Sequence, residues 1–157
     1  MNKKDLETFI RTNQCKGGDL SGVDFTDKNI FKETRIVNAM FDGTDLSNVN
    51  FSNCYFTNCS FKKTNLKNAN FTDTIIKYSS FYDADLSKSI FSRANILIGN
   101  FNESILDDAD FSNSQISYAS TFDDVIGIRA KFVNTKFYKT PYENTVEYPH
   151  DKIPPIS

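Results

Sequence analysis

From Phe31 to Ile116 every fifth residue is large and apolar, eighteen in succession, beginning Phe31, Ile36, Phe41, Leu46, Phe51, Phe56 and ending Phe101, Leu106, Phe111, Ile116. A helix returns to the same face every ~3.6 residues and a strand every ~2, so this comb belongs to a chain that turns through equal short steps. Two residues ahead of each member stands a second comb of small residues, running from Thr34 and Ala39 through Cys54, Cys59 and Ala69 to Ala109 and Ser114 and broken only at Asn29. Residues two apart on extended backbone point the same way, so both combs face inward and the other three positions of each five face water. Those positions are rich in Asn, Asp, Ser and Lys, which holds the hydrophobic content to 39%. The low value is geometric and does not mark disorder.

The large positions alternate again. Steps of ten from Phe31 to Phe111 are all Phe, while Leu46, Leu66, Leu86 and Leu106 form one intervening series and Ile36, Phe56, Ile76, Ile96 and Ile116 the other. The repeating coil is therefore twenty residues with four sides of five, a square solenoid whose coils stack about 4.8 Å apart and place like side chains in ladders. Leu20 and Phe25 stand one residue out of frame, and after Ile116 the comb resumes one late at Phe122, Phe132 and Phe137, with Gly127 between them. The spacing predicts one-residue bulges near 26–31 and 117–121.

Runs such as Ala84-Asp85-Leu86-Ser87-Lys88, Thr64-Asn65-Leu66-Lys67-Asn68 and Ala109-Asp110-Phe111-Ser112-Asn113 resemble the A(D/N)LXX unit of the pentapeptide-repeat proteins. The resemblance covers residues 17–142 and implies an all-β fold, a right-handed quadrilateral parallel β-helix of about six coils. Residues 1–16 are expected to form a short N-terminal capping helix, with Asn2 as cap, Asp5 three residues on, Leu6, Phe9 and Ile10 on one face and Gly17-Gly18 beyond. Residues 143–157, with Pro149, Pro154 and Pro155, read as a proline-rich tail that has left the repeat. With no apolar run long enough for a membrane span or signal peptide, a soluble cytoplasmic protein is expected.

Catalytic chemistry finds little to work with. The one histidine, His150, lies in the proline-rich tail without a nucleophile near it in sequence. Cys54 and Cys59 fall on the small inward comb, where a thiol acts as a compact hydrophobe, and Cys15 stands alone before the glycine pair. No zinc set, calcium loop or phosphate-cradling glycine loop is present. The expectation is a non-enzyme with no cofactor and no metal.

Function must then come from a surface. On the side built around Ile36, Phe56, Ile76, Ile96 and Ile116, the outward positions include Val37, Tyr55, Ile75, Tyr78, Leu97, Ile98 and Tyr118. Tyr78, Ile98 and Tyr118, twenty apart, should stack in a line beside Leu97 and form an apolar contact surface for a protein partner or a second copy. Alternatively, stacked tyrosines only brace neighbouring coils. A competing surface is acidic: between Ala94 and Ile128 no Lys or Arg occurs, while Glu103, Asp107, Asp108, Asp110, Asp123 and Asp124 do. The family resemblance gives that band a meaning, because some members mimic duplex DNA, bind DNA gyrase or topoisomerase IV, and confer resistance to quinolones or toxins. A net charge of −2 and the basic residues Lys62, Lys63, Lys67, Lys77, Lys88 and Arg93 weigh against that reading here. A pI near 5.4 and the lack of a basic stripe argue against direct nucleic-acid binding. Finally Phe137, Tyr138, Tyr142 and Tyr148 gather near the end of the column, a candidate dimer contact.

Overall fold

In the computed structural model, which describes residues 14–19 as backbone together with residues 31, 33–117 and 119–138, the chain winds as a parallel β-solenoid. Each coil contributes one short strand, and seven strands stack in sequence order. They are β1 (Gln14–Asp19), β2 (Arg35–Met40), β3 (Tyr55–Thr57), β4 (Ile75–Lys77), β5 (Asn95–Leu97), β6 (Gln115–Ser117) and β7 (Lys136–Tyr138). From β2 to β6 the register advances by twenty at each step, as in Arg35↔Tyr55, Tyr55↔Ile75, Ile75↔Asn95 and Asn95↔Gln115. The other three sides meet through single parallel bridges at the same offset, for example Met40↔Ser60, Asp45↔Asn65 and Asn50↔Asn70.

The five-residue unit closes each corner. The N–H of the small residue donates back to the carbonyl of the large one, as in Thr44 N to Phe41 O (3.1 Å) and Val49 N to Leu46 O (3.2 Å). Between them the second outward residue takes a left-handed backbone, such as Asn48 (φ 62°), Asn68 (φ 56°) and Asp83 (φ 54°). Asn and Asp tolerate that region better than other side chains, which explains their abundance outside the column. The corner N–H then donates to the next coil, as in Asn48 N to Lys67 O (2.8 Å).

Inside, every large residue from Phe31 to Ile116 is fully or almost fully buried. Rings along one ladder stack face to face, Phe71 and Phe91 at 4.5 Å and 4°, Phe91 and Phe111 at 4.6 Å and 2°. Across the column they meet edge to face, Phe81 and Phe91 at 5.9 Å and 85°. Both arrangements suit the ring quadrupole, and they fill a core only one coil wide.

Both one-residue offsets appear in the register, although the expected bulge site at 26–31 lies almost wholly outside the described residues. β1 meets β2 at an offset of 21 (Gln14↔Arg35), and β6 meets β7 likewise (Gln115↔Lys136). At the second slip Ser117 Oγ accepts from Ile98 N (2.9 Å) and Ser120 Oγ from Gly99 N (3.0 Å). In the coil beneath, the N–H equivalent to that of Ile98 reaches a main-chain carbonyl, Tyr78 N to Leu97 O (2.9 Å), so a hydroxyl stands in where the extra residue displaces the backbone. Strand β1 takes in Gln14, Cys15 and Lys16, with Cys15 in register with Ile36, so the sheet starts three residues before the expected boundary at 17. The expected helix over Asn2–Asn13 and the tail 143–157 lie outside the described residues.

Candidate interaction face

The sheet of β2–β7 forms one flat side of the column, and its register sorts the outward side chains into rows. One row runs Arg35, Tyr55, Ile75, Asn95, and the other Val37, Thr57, Lys77, Leu97. The corner positions that follow the second row are Asn38, Asn58, Tyr78 and Ile98. The structure thus sets Tyr55 beside Ile75, and Tyr78 and Ile98 on successive coils with Leu97 adjoining Ile98. Val37 stands apart, separated from Leu97 by Thr57 and Lys77. Tyr118 lies outside the described residues. Tyr55, Tyr78 and Ile98 are among the few large apolar side chains left in water, at 48%, 53% and 41% exposure.

The corner column changes character halfway along. Its lower members form an amide rung, Asn58 Nδ2 to Asn38 Oδ1 at 2.8 Å, which suits a left-handed corner. Above them Tyr78 (φ 51°) and Ile98 (φ 56°) hold the same backbone. Ile98 is the one β-branched residue with a positive φ among the described residues. Its branched Cβ crowds the carbonyl in that conformation, a strain of about 1–2 kcal/mol that Asn largely avoids. Spacing had marked Ile98 as outward, but the strain follows only from the corner geometry. A β-branched residue at a position otherwise held mostly by Asn and charged side chains was the signal that could have shown it.

The acidic residues are divided among sides and partly neutralised. Arg129, one coil above, makes a fork with Asp108, Nε to Oδ1 at 2.6 Å and Nη2 to Oδ2 at 2.7 Å, and holds that carboxyl below its ordinary value. Lys131 stacks over Asp110, and the Asp107 carboxylate accepts from the N–H of Ile128 (2.8 Å). Asp123 is bonded from the Asn102 amide (3.0 Å), and Glu103 raises the Tyr82 phenol above its ordinary value through a hydrogen bond. The stretch without Lys or Arg is acidic along the chain, but the next coil supplies the countercharge. One run of carboxylates keeps its line, Asp83, Glu103 and Asp124 at successive corners of the Phe41–Phe61–Phe81–Phe101–Phe122 side, with Lys63 at 4.0 Å from Asp83 below.

At the C-terminal end Phe137 is half-buried in register with Ile116, whereas Tyr138 turns back down the sheet and donates its hydroxyl to Asn95 Oδ1 (2.9 Å). Tyr138 is therefore buried along the side and does not project from the end. Tyr142 and Tyr148 lie outside the described residues. Exposed Ile126, Ile128 and Val133 flank that end and were not singled out from sequence. Burial first, with a smaller opposing contribution from backbone bonds, pushes the Cys54 thiol up to about 12, so it stays protonated as core packing. Among the described residues no group of three or more His, Cys, Asp or Glu could hold a metal ion, and no helix is long and apolar enough to cross a membrane.

A family model described as "Pentapeptide repeat region" matches residues 23–98. Among solved structures, a pentapeptide repeat protein from the Arabidopsis thaliana thylakoid lumen shares 26% identity over 59% of this chain, with a TM-score of 0.50. This chain spans 61% of that protein's length. Trypsin-treated QnrB1, a plasmid-mediated fluoroquinolone resistance protein, shares 18% identity over 78% of this chain and 70% of its own, with a TM-score of 0.47. Rfr23 from the cyanobacterium Cyanothece 51142 shares 16% over 88% of this chain and 100% of its own, with a TM-score of 0.39. No curated protein matches significantly.

Proposed function

Since the chain is a pentapeptide-repeat protein, we propose that it works as a non-enzymatic solenoid scaffold that holds a protein partner, or a second copy of itself, against its strand-bearing side. The contact is made by Tyr55, Ile75, Tyr78, Leu97 and Ile98. What supports this reading above all is Ile98, an exposed β-branched residue held in a left-handed corner beside exposed Tyr78. Asn would serve that corner better for stability, so an apolar side chain there is retained against a local cost, a common mark of a functional position. Ile98→Asn is expected to raise stability by about 1 kcal/mol in chemical denaturation and to weaken the association. Replacing Tyr78, Leu97 and Ile98 together by Ser or Asn should abolish it with the β signal intact. If the mass in solution and partner capture are the same in the triple variant as in the wild type, the reading fails.

A second reading rests on the carboxylate line of Asp83, Glu103 and Asp124, with Asp123 beside it. Carboxylates repeated at a coil spacing of about 4.8 Å offer a phosphate-like column to a type II topoisomerase groove. Gyrase supercoiling assayed with added protein tests it, and unchanged supercoiling at large molar excess removes it.

A further inference from the structure

The strand-bearing side differs from the rest of the column in charge. Elsewhere cations sit against carboxylates of a neighbouring coil: Lys63 with Asp83 (4.0 Å), Lys67 with Asp85 (3.0 Å), Arg93 with Asp73 (2.7 Å) and Arg129 with Asp108 (2.6 Å). The outward positions of the strand-bearing side carry Arg35, Lys77 and Lys136, all exposed, and among the described residues they hold no Asp or Glu. Neither Arg35 nor Lys77 has an ion pair among the described residues. The corner where the chain enters this side does hold two carboxylates, Glu33 and Asp73. Asp73 is already forked by Arg93, and Glu33 stands at the level of Arg35, below the apolar group.

Lys77 stands inside the apolar group and not at its rim. Register puts Leu97 directly above it, Ile75 shares its strand, and Tyr78 follows it at the corner with Ile98 one coil on. Its methylene stem extends the apolar surface while the ammonium stays in water. A partner that covers Tyr78 and Leu97 covers that ammonium too, and a buried cation without a counterion is costly, so the partner must bring a carboxylate to it. The main chain of this side is already spent between coils, Tyr55 N on Thr34 O (2.9 Å), Ile75 N on Cys54 O (3.0 Å) and Tyr78 N on Leu97 O (2.9 Å). Strand addition is therefore closed to the partner, and recognition falls to side chains. From Tyr55 to Leu97 the group rises by two steps of the register, about 10 Å, the width of a single helix. A second copy is a poor occupant, because an isologous contact sets this face against itself and offers Lys77 no carboxylate.

Resting on the reading of this side as the contact surface, we propose that its occupant is an acidic, apolar segment of a different protein, which lays large apolar side chains on Tyr55, Tyr78, Leu97 and Ile98 and sets a carboxylate on the Lys77 ammonium. The probe is a phage-displayed library of short random peptides, selected in parallel against the full-length wild type, Lys77→Glu, and the variant with Tyr78, Leu97 and Ile98 replaced together by Ser or Asn. Peptides enriched on the wild type should carry Asp or Glu among large apolar residues, and Lys77→Glu should turn that preference toward Lys and Arg. A synthetic peptide taken from the wild-type pool should bind Lys77→Glu at least about tenfold more weakly in fluorescence anisotropy. Lys77 is exposed, so this variant keeps the fold, which its β signal checks. Peptides that need Tyr78, Leu97 and Ile98 but bind the wild type and Lys77→Glu equally overturn the acidic occupant and leave the contact surface standing. Selection that enriches nothing beyond what the triple variant enriches removes both. Two further measurements bear on other occupants. A wild-type dimer in light scattering that the triple variant loses puts a second copy on the face, and phosphatidylserine vesicles that sediment the wild type but not Lys77→Glu put a membrane there. Either result overturns the proposal.

Discussion

Ser89 stands in an inward column otherwise filled by Val49, Ala69, Ala109 and Ala130, and its buried hydroxyl has no partner among the described residues. Other hydroxyls on the same comb are satisfied locally, Thr74 Oγ1 by Phe71 O at 2.7 Å and Ser104 Oγ by Phe101 O at 2.6 Å. Burying an unbonded hydroxyl costs free energy that a methyl group does not. Ser89→Ala should therefore stabilise the protein by about 1 kcal/mol, read as a higher urea midpoint, whereas Thr74→Val should lower it. A loss of stability on Ser89→Ala would mean that the hydroxyl is bonded in solution. Gly99 is constrained in the opposite sense, because an added Cβ would come within 2.8 Å of both Ile96 and Phe101. The small comb thus carries two requirements, little volume and no unpaired polarity, and sequence spacing reveals only the first.

At the scale of the coil, the inserted residue between β6 and β7 is tolerated because Ser117 and Ser120 supply acceptors to Ile98 and Gly99. Ser117→Ala with Ser120→Ala takes the acceptor from two half-buried N–H groups and should cost roughly 1–3 kcal/mol, while Ser112→Ala, on the outward side of the preceding unit, should change little. Equal effects from the two would show that the hydroxyls do not carry the bulge. The coil was legible from sequence because every inward position is read by the same two combs, so one correct period fixed about a hundred residues at once. Charge was not legible in the same way. Asp108 was grouped with its neighbours along the chain, yet its partner Arg129 is 21 residues on, an offset set by the bulge. The strain at Ile98 was likewise hidden, because the comb names the side of the column and says nothing of backbone sign at its corners.

For the whole molecule, forks between coils act as vertical clamps. Arg93 binds Asp73 at 2.8 and 2.7 Å, Arg129 binds Asp108, and each guanidinium holds its carboxyl below the ordinary 3.8. A carboxyl depressed in the folded state lends stability that is present above its unfolded value and lost as pH falls through the folded one. The urea midpoint should fall as the solution is taken below about pH 3.8, and Arg93→Gln with Arg129→Gln should make that fall shallower. An unchanged slope would show the forks to be screened by solvent, as exposed pairs often are.

The twenty-residue register carries a consequence for how such a chain can change length. An insertion of five residues at a corner adds one side and rotates everything above it by a quarter turn, so Tyr78 and Ile98 would no longer look in the direction of Tyr55. An insertion of a full coil translates the upper part by one step and leaves its compass heading intact. The one-residue bulge does neither. The column therefore has a phase as well as a length, and a surface spread over several coils survives only those rearrangements that keep the phase.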